Sequence, residues 1–591
     1  MYLPGEFDYI NLMRLGAAPA ASGGAARVAV LGFATTQYYA AVLRGLGSAA
    51  AFPLVTYEPE YDTVHQTVLD EHSPLYSFRP DFVVFLTAVQ RLRNVLLSAD
   101  QSDRGRIGEH EADQLVSLMR IVSQIPSVTV VINEFVLPYE RPWGNFSARV
   151  DASLARIVRA INDRLREAAA EAGNVYTVDC DYIASWDGKR AWFDERLWFY
   201  SKSFCHPQAL PYVAGQAIDV FRAVKGKSCK CVALDLDNVL WGGTIGDDGL
   251  EEIRLGELGE GEGEAYLQFQ LWLKELRARG IILAVCSKND EEKAREPFRR
   301  HRDMVLKESD ISCFIANWGD KAENLREIAR RLNVGLDSIV FLDDSAFERN
   351  LVRELVPEVC VPELPVDPAN FIPYLESLNL FETAQFSDED RKRAGFYRAN
   401  ALREDEQRKF TSVGEYLISL NSTAAFERFD DYHLPRIAQL VQRTNQFNLT
   451  TIRHSAEDLR QFAEDPAYFP FYLTLTDRFG DNGLICVIIG KRDGTRLEIV
   501  SWVMSCRVIS RRLEEFALDQ IVAVARDAGI AQLWGRYVPT PKNGLVSKHY
   551  EKLGFRLAEE LTDGSTTWEL NVSEHVQSDA PIERAALQLE S

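Results

Sequence analysis

The stretch 231–249, CVALDLDNVLWGGTIGDDG, decides how the rest of the chain is read. Its first residues form a short apolar run of the kind that parallel sheets bury on both faces, and the run ends in two alternating carboxylates, Asp235 and Asp237. Gly242 and Gly243 then turn the chain back behind Leu240 and Trp241. Alone, a D-x-D after a strand is weak, because carboxylates commonly cap helices and line loops. Working outward strengthens it. The segment 280–290, GIILAVCSKND, is a second apolar strand ending at Ser287, 52 positions after Asp235. A third, 338–350, SIVFLDDSAFERN, ends at Asp343 and Asp344, with Asp343 56 positions after Ser287. Between them 317–332, NWGDKAENLREIARRL, sets Lys321 at a helix start, where the helix dipole disfavours a cation. Ligands of open parallel sheets bind beyond the carboxyl ends of the strands, so these polar strand ends are expected to converge on one site. Carboxylates gathered there repel one another unless a cation organises them, and oxygen ligands at that charge density suit Mg²⁺.

Further out, the pattern remains α/β and multi-domain. Towards the N-terminus, 27–47 (RVAVLGFATTQYYAAVLRGLG) reads as strand, turn and helix, and 78–89, 126–135 and 173–183 supply three more apolar strands. Helical spacers such as 150–173 make the sheet parallel. Towards the C-terminus, the charged segment 381–410 reads as a helical connector, and from 424 helices alternate with antiparallel-looking strands at 471–480, 484–492 and 497–505. The expected divisions are 1–226, 227–380, a connector at 381–423, 424–572, and a flexible tail at 573–591 with no aromatic residue.

Composition excludes several classes. The 591 residues carry 66 Lys plus Arg against 87 Asp plus Glu, a net charge of −21, which opposes a general nucleic-acid or anionic-membrane surface. The N-terminal sequence lacks the basic and apolar regions of a signal peptide, and no stretch of about 20 residues is apolar enough to span a bilayer, so a cytoplasmic location is expected. Nine cysteines, odd in number and mostly inside apolar runs, are used as buried thiols; Cys229 and Cys231 have no second pair to complete a zinc site.

The series DLDNVLWGG, SKND, Lys321 and LDD resembles the haloacid-dehalogenase (HAD) phosphotransferase superfamily. The resemblance implies that Asp235 attacks phosphorus, that Asp237 serves as general acid and base, and that Ser287 and Lys321 hold and neutralise the phosphoryl oxygens. It implies an Mg²⁺ site drawn from Asp235, Asp237, Asp343 and Asp344. Val239 stands where the superfamily usually has Thr. The longer words DLDNVLWGGTIGDDG, VCSKND and FIANWGDKAENLREIARRLNVGLDSIVFLDDSAFERN resemble FkbH-like proteins of polyketide biosynthesis, closely over about 228–365. That resemblance implies loading of D-glycerate from 1,3-bisphosphoglycerate onto the phosphopantetheine thiol of an acyl carrier protein, with loss of phosphate. Cys286, beside Ser287, is a candidate carrier of the glyceryl group; direct transfer to the pantetheine thiol is the alternative, and a small buried residue is its bland reading.

Segments 443–454, 479–490, 501–529 and 543–555 resemble a GNAT acyltransferase fold, whose turn into the central helix binds a pyrophosphate or pantetheine arm. Here that turn is Arg507 to Arg512, with Ser510 in place of a usual glycine. Arg507, Ser510, Arg511, Arg512, Asn543 and Tyr550 are therefore expected around a pantetheine, with Asn445, Asn448 and Asn482 nearby. Segment 1–226 resembles an SGNH-hydrolase-type fold without its serine, and Ser203 rather than Asp precedes His206 by three residues, so it is expected to be non-catalytic. Two rival functions remain: an Mg²⁺-dependent phosphatase of a small metabolite with a separate acyltransferase domain, and a scaffold that gathers carrier proteins.

Overall fold

A computed structural model describes residues 8–17, 24–256, 261–384, 399, 403, 406–407, 409–444, 446–505, 508–509, 511–540 and 543–585. The chain packs as two compact units, Met1–Lys230 with Val340–Phe386, and Cys231–Ile339 with Ser387–Ser591. No helix among the described residues is long and apolar enough to cross a membrane.

The first unit is built on a parallel sheet of β1 (Ala26–Gly32), β2 (Leu54–Tyr57), β3 (Phe82–Leu86), β4 (Thr129–Asn133) and β5 (Val175–Val178), in the order β2-β1-β3-β4-β5. Strands β3 and β4 are buried at every residue, as a sheet covered on both faces requires. The helix Leu154–Glu171 buries Ile157, Val158, Ile161, Asn162, Leu165 and Ala168, one stripe at helical spacing, and leaves its charged face to solvent. Phe82 of β3 stacks on Phe221 of the helix Leu210–Val224 with centroids 4.1 Å apart. Asn379, expected with the second domain, reaches Asp219 at 3.2 Å, and Tyr176 donates to the carbonyl of Ala384, expected in the connector, at 2.8 Å.

A four-stranded parallel sheet follows: β6 (Cys231–Leu234), β7 (Ile282–Ser287), β8 (Ile311–Ala316) and β9 (Ile339–Leu342), ordered β8-β7-β6-β9. The boundary between the two units falls after the first residue of β9. Cys231 pairs with Ile282 and Leu234 with Val285, while Ser287 pairs with Ala316, so the ends of β6, β7 and β8 come out on one edge.

The C-terminal part of the second unit is an eight-stranded sheet. Its strands are β10 (Ser422–Arg428), β11 (Tyr468–Asp477), β12 (Gly480–Asp493), β13 (Arg496–Met504), β14 (Gln532–Tyr537), β15 (Arg556–Glu560), β16 (Thr566–Asn571) and β17 (Ile582–Arg584), ordered β15-β16-β14-β13-β12-β11-β10-β17. Pairing is antiparallel except between β13 and β14 and between β10 and β17. The fold is α/β and multi-domain, as expected.

Two expected boundaries shift. Strand β10 begins at Ser422, two residues before 424, and most of the expected connector lies outside the described residues. The stretch expected as a flexible tail is ordered as far as 585: Asp519 accepts from Ser578 at 2.7 Å and contacts His575 at 2.7 Å, and β17 then pairs with β10. A carboxylate on a helix thus gathers a segment whose own composition is too polar to fold alone.

Asp477 ends β11 at zero side-chain exposure, bonded to both guanidinium arms of Arg403 at 2.8 and 2.7 Å and to Arg511 at 2.9 Å. Burial pushes its carboxyl up, but Arg403 and Arg511 outweigh burial and the group sits below its ordinary 3.8. Removing the charge leaves two guanidinium groups gathered in a low-dielectric site without their shared carboxylate. Asp477→Asn is expected to cost about 3–5 kcal/mol in urea unfolding of the intact protein. Because the folded group is the stronger acid, its contribution is full above the unfolded carboxyl's range and is lost as pH falls through the folded value. The wild type should therefore lose more stability than the variant on acidification, and parallel acid profiles would remove Asp477 from this role.

Candidate active site

The site is assembled by the loop after β6. Asp235 and Asp237 are separated by Leu236, which is fully buried, and Val239, Leu240 and Trp241 are buried too. The chain can reverse here because Asn238 adopts φ 54° and Gly243 φ 93°, left-handed conformations that Asn and Gly tolerate best, and Asn238 Oδ1 accepts from Gly243 N at 3.0 Å. The apolar residues anchor the loop in the core and leave the carboxylates at the sheet edge.

Lys321 opens the helix Lys321–Leu332 with Asp320 as its cap, Asp320 Oδ1 accepting from Ala322 N. It is 2% exposed, and its Nζ donates to Asp235 Oδ2 at 2.6 Å, while Leu236 N donates to Asp235 Oδ1 at 2.8 Å. An ammonium buried at the positive end of a helix is costly, and the ion pair offsets that cost. The expected meeting of Lys321 with Asp235 is therefore direct.

Asp237 is held by three N–H donors: Trp241 Nε1 at 3.0 Å and Ile245 N at 3.0 Å on Oδ1, and Asn289 Nδ2 at 2.8 Å on Oδ2. Asn289 Nδ2 also lies 3.3 Å from Ser287 Oγ, which is buried at the end of β7. Asn289 and Trp241 are functional neighbours that residue roles read from sequence did not pick out, although both stand inside the quoted motifs. Arg349 is another. Its Nη1 donates to the carbonyls of Asp343 and Asp344 at 2.8 and 2.7 Å, and Glu363 holds its Nη2 at 2.7 Å, so it braces the backbone carrying that pair. Six residues of sequence separate Arg349 from Asp343, and no local pattern marks the contact.

Asp235, Asp343 and Asp344 each offer a carboxylate oxygen within 4.8 Å of the others. Asp343 is fully buried, its Oδ1 accepting from Ser345 N at 2.8 Å. Three carboxylates this close, with only oxygen donors, fit a hard divalent cation. Asp237 does not join them: it was expected among the metal ligands, but its carboxylate is turned towards Trp241, Ile245 and Asn289. Cys286 also departs from expectation. It is fully buried on β7, side chains alternate along a strand so that Cys286 and Ser287 point oppositely, and its Sγ lies 3.8 Å from the Lys321 carbonyl. The thiol is closed off from solvent.

The pantetheine residues expected in the C-terminal sheet are dispersed into structural roles. Arg511 pairs with buried Asp477, and Arg512 pairs with Glu515, at 2.6 Å, and with Asp579. Asn543 is fully buried and bonds Asn448 O, Val538 O and Thr540 N. Tyr550 is 1% exposed, and Asn482 donates to Asp477 at 3.3 Å. Arg507, Ser510 and Asn445 lie outside the described residues. In the first unit, Ser203 Oγ donates to Cys205 O and His206 Nδ1 accepts from Gln208 N, so the two do not form a relay.

The family described as FkbH, N-terminal domain, matches residues 27–222. A solved structure of the N-terminal part of the protein BF1531 from Bacteroides fragilis, containing a phosphatase domain complexed with Mg, is 37% identical, covers 64% of this chain and 100% of its own, and has a TM-score of 0.61. Over about a quarter of the chain there are weaker likenesses. The ribosomal-protein-S18-alanine N-acetyltransferase from Escherichia coli is 16% identical, with 26% of this chain and 97% of that one covered and a TM-score of 0.21. The PaiA N-acetyltransferase from Thermoplasma acidophilum in complex with coenzyme A is 13% identical, with 25% and 99% covered and a TM-score of 0.21. A search of curated protein sequences gives no match. A relative matched over its whole length at 37% identity, an FkbH N-terminal domain over residues 27–222 and the Asp235–Lys321 site together place the chain in the FkbH-like family of the HAD superfamily.

Proposed function

We propose that the protein is an Mg²⁺-dependent phosphoryl-transfer enzyme that loads D-glycerate from 1,3-bisphosphoglycerate onto an acyl carrier protein and releases phosphate. The observation that carries the reading is the convergence of Asp235, Asp343 and Asp344 on one point with Lys321 Nζ 2.6 Å from Asp235. The relative whose phosphatase domain is complexed with Mg supports the choice of ion.

Asp235 attacks the phosphorus of the ester and takes the phosphoryl group as an aspartyl phosphate. Lys321 balances the charge that gathers on the phosphoryl oxygens, and Ser287 Oγ donates a hydrogen bond to them. Asp237 carries the proton: it protonates the departing alkoxide oxygen and then takes a proton from the water that hydrolyses the aspartyl phosphate. Trp241, Ile245 and Asn289 fix where that carboxylate stands. When bound by Asp235, Asp343 and Asp344, Mg²⁺ supplies further neutralisation of the phosphoryl charge. The acyl phosphate end is already activated, so a carrier thiolate attacks its carbonyl carbon and expels phosphate without a phosphatase step. Because Cys286 is enclosed, the glyceryl group passes directly to the pantetheine thiol.

Asp235→Asn is expected to lower Mg²⁺-dependent phosphate release by about 10⁴-fold with the circular dichroism spectrum unchanged; appreciable activity in a folded variant would take the nucleophile role from Asp235. Intact mass of a pantetheinylated carrier incubated with 1,3-bisphosphoglycerate should show a glyceryl adduct, equally with wild type and with Cys286→Ser. Loss of the adduct only in Cys286→Ser would restore a covalent relay, and phosphate release with no adduct in wild type would make the protein a metabolite phosphatase. Chelating Mg²⁺ with EDTA should abolish release of the ester phosphate, and Mg²⁺ should restore it.

A further inference from the structure

Strands β13 and β14 are parallel neighbours over Arg496–Ile499 and Gln532–Gly535 alone, yet β13 continues to Met504 and β14 to Tyr537. Two strands that part in this way open a wedge with backbone N–H and C=O groups on both walls, a ready slot for an extended chain. Here the slot is filled. Leu449 N donates to Trp502 O at 3.3 Å and Met504 N to Phe447 O at 3.1 Å on one wall, and Val538 N donates to Leu449 O at 2.8 Å on the other. Asn448 bridges Val503 in antiparallel sense, and Thr450 Oγ1 donates to Val500 O at 3.0 Å. Phe447, Asn448, Leu449 and Thr450 are all buried, and Asn543 Nδ2 fastens the segment again at Asn448 O, 3.0 Å away.

Two further observations point the same way. The helix Leu513–Asp527, which starts just after β13, carries Glu514 and Glu515 in its first turn, where they satisfy the positive end of the dipole and repel a phosphate. Its cap residue Arg512 is already tied to Glu515 and Asp579. Tyr550, 1% exposed, packs its ring where a side chain on Gly535 of β14 would stand, 2.2 Å from that Cβ position, so its ring is a wall of the core.

We propose that the β13–β14 wedge is a strand-addition slot occupied in cis by Phe447–Thr450, and that this sheet therefore takes neither coenzyme A nor a carrier-borne pantetheine arm there. The C-terminal sheet then offers no coenzyme or pantetheine slot at this wedge. This conclusion stands apart from the proposed activity, since its test reads no turnover. Hydrogen exchange of the full-length protein, followed by mass spectrometry, resolves peptides over 446–452, 500–505 and 536–540. Their amides should exchange as slowly as those of the β11–β12 ladder, and neither coenzyme A nor pantetheine at millimolar concentration should alter them. Calorimetric titration with coenzyme A should give no saturable heat. Fast exchange confined to these peptides would make the segment a movable strap and overturn the proposal; so would saturable binding of either ligand that slows exchange there.

Discussion

The ion pair between Lys321 and Asp235 is the constraint around which the catalytic region is organised. The two residues lie 86 positions apart, Asp235 beyond the central strand β6 and Lys321 at the first turn of the helix after β8. Each would be expensive to bury alone, and together they tolerate almost no solvent: the side chains are 3% and 11% exposed. Their meeting requires β6, β7 and β8 to end on the same edge with the register observed, and it requires the tight reversal through Asn238 and Gly243 that brings Asp237 back beside Asn289. The carboxylate cluster inherits this arrangement, because Asp235 serves it and the lysine at once.

Asp237 shows how the same scaffold separates two neighbouring carboxylates into different tasks. Asp235 faces an ammonium and two further carboxylates, a setting for charge transfer and a cation. Asp237, two residues on, accepts from N–H donors of the loop and of Asn289, a setting that orients the carboxylate. The difference arises from where Trp241 and Ile245 put their N–H groups, which in turn follows from burial of the indole in the core.

The C-terminal sheet follows a contrasting logic. Its polar groups are turned inward and matched to one another: Asp477 to Arg403 and Arg511, Asn543 to the backbone around it, Phe447–Thr450 to both walls of the wedge. A region that resembles a binding module in its order of elements is consumed by its own contacts. The arginines that stand adjacent in sequence go to separate acidic partners, one buried in the sheet and one shared between a helix and the C-terminal segment.

The sequence by itself determined the α/β character, the parallel strands around 231–234, 282–287 and 339–342, and the identities of Asp235, Ser287, Lys321, Asp343 and Asp344, because apolar runs and strand-end residues are local properties with fixed spacing. Only the tertiary structure decided what each side chain meets. Whether Asp237 meets the N–H groups of Trp241, Ile245 and Asn289, whether Cys286 is open or sealed, and whether Arg511 meets a ligand or Asp477 depend on how the loops close and on residues far along the chain, as in the pairs Arg511–Asp477 and Asn543–Asn448, 34 and 95 positions apart. Asn289 escaped a reading by motif because a hydrogen bond across a fold leaves no periodicity in the chain, Trp241 and Arg349 because bonds within a tight turn or to a backbone carbonyl leave none either, and a segment that fills its own sheet's wedge reads in sequence like any other loop.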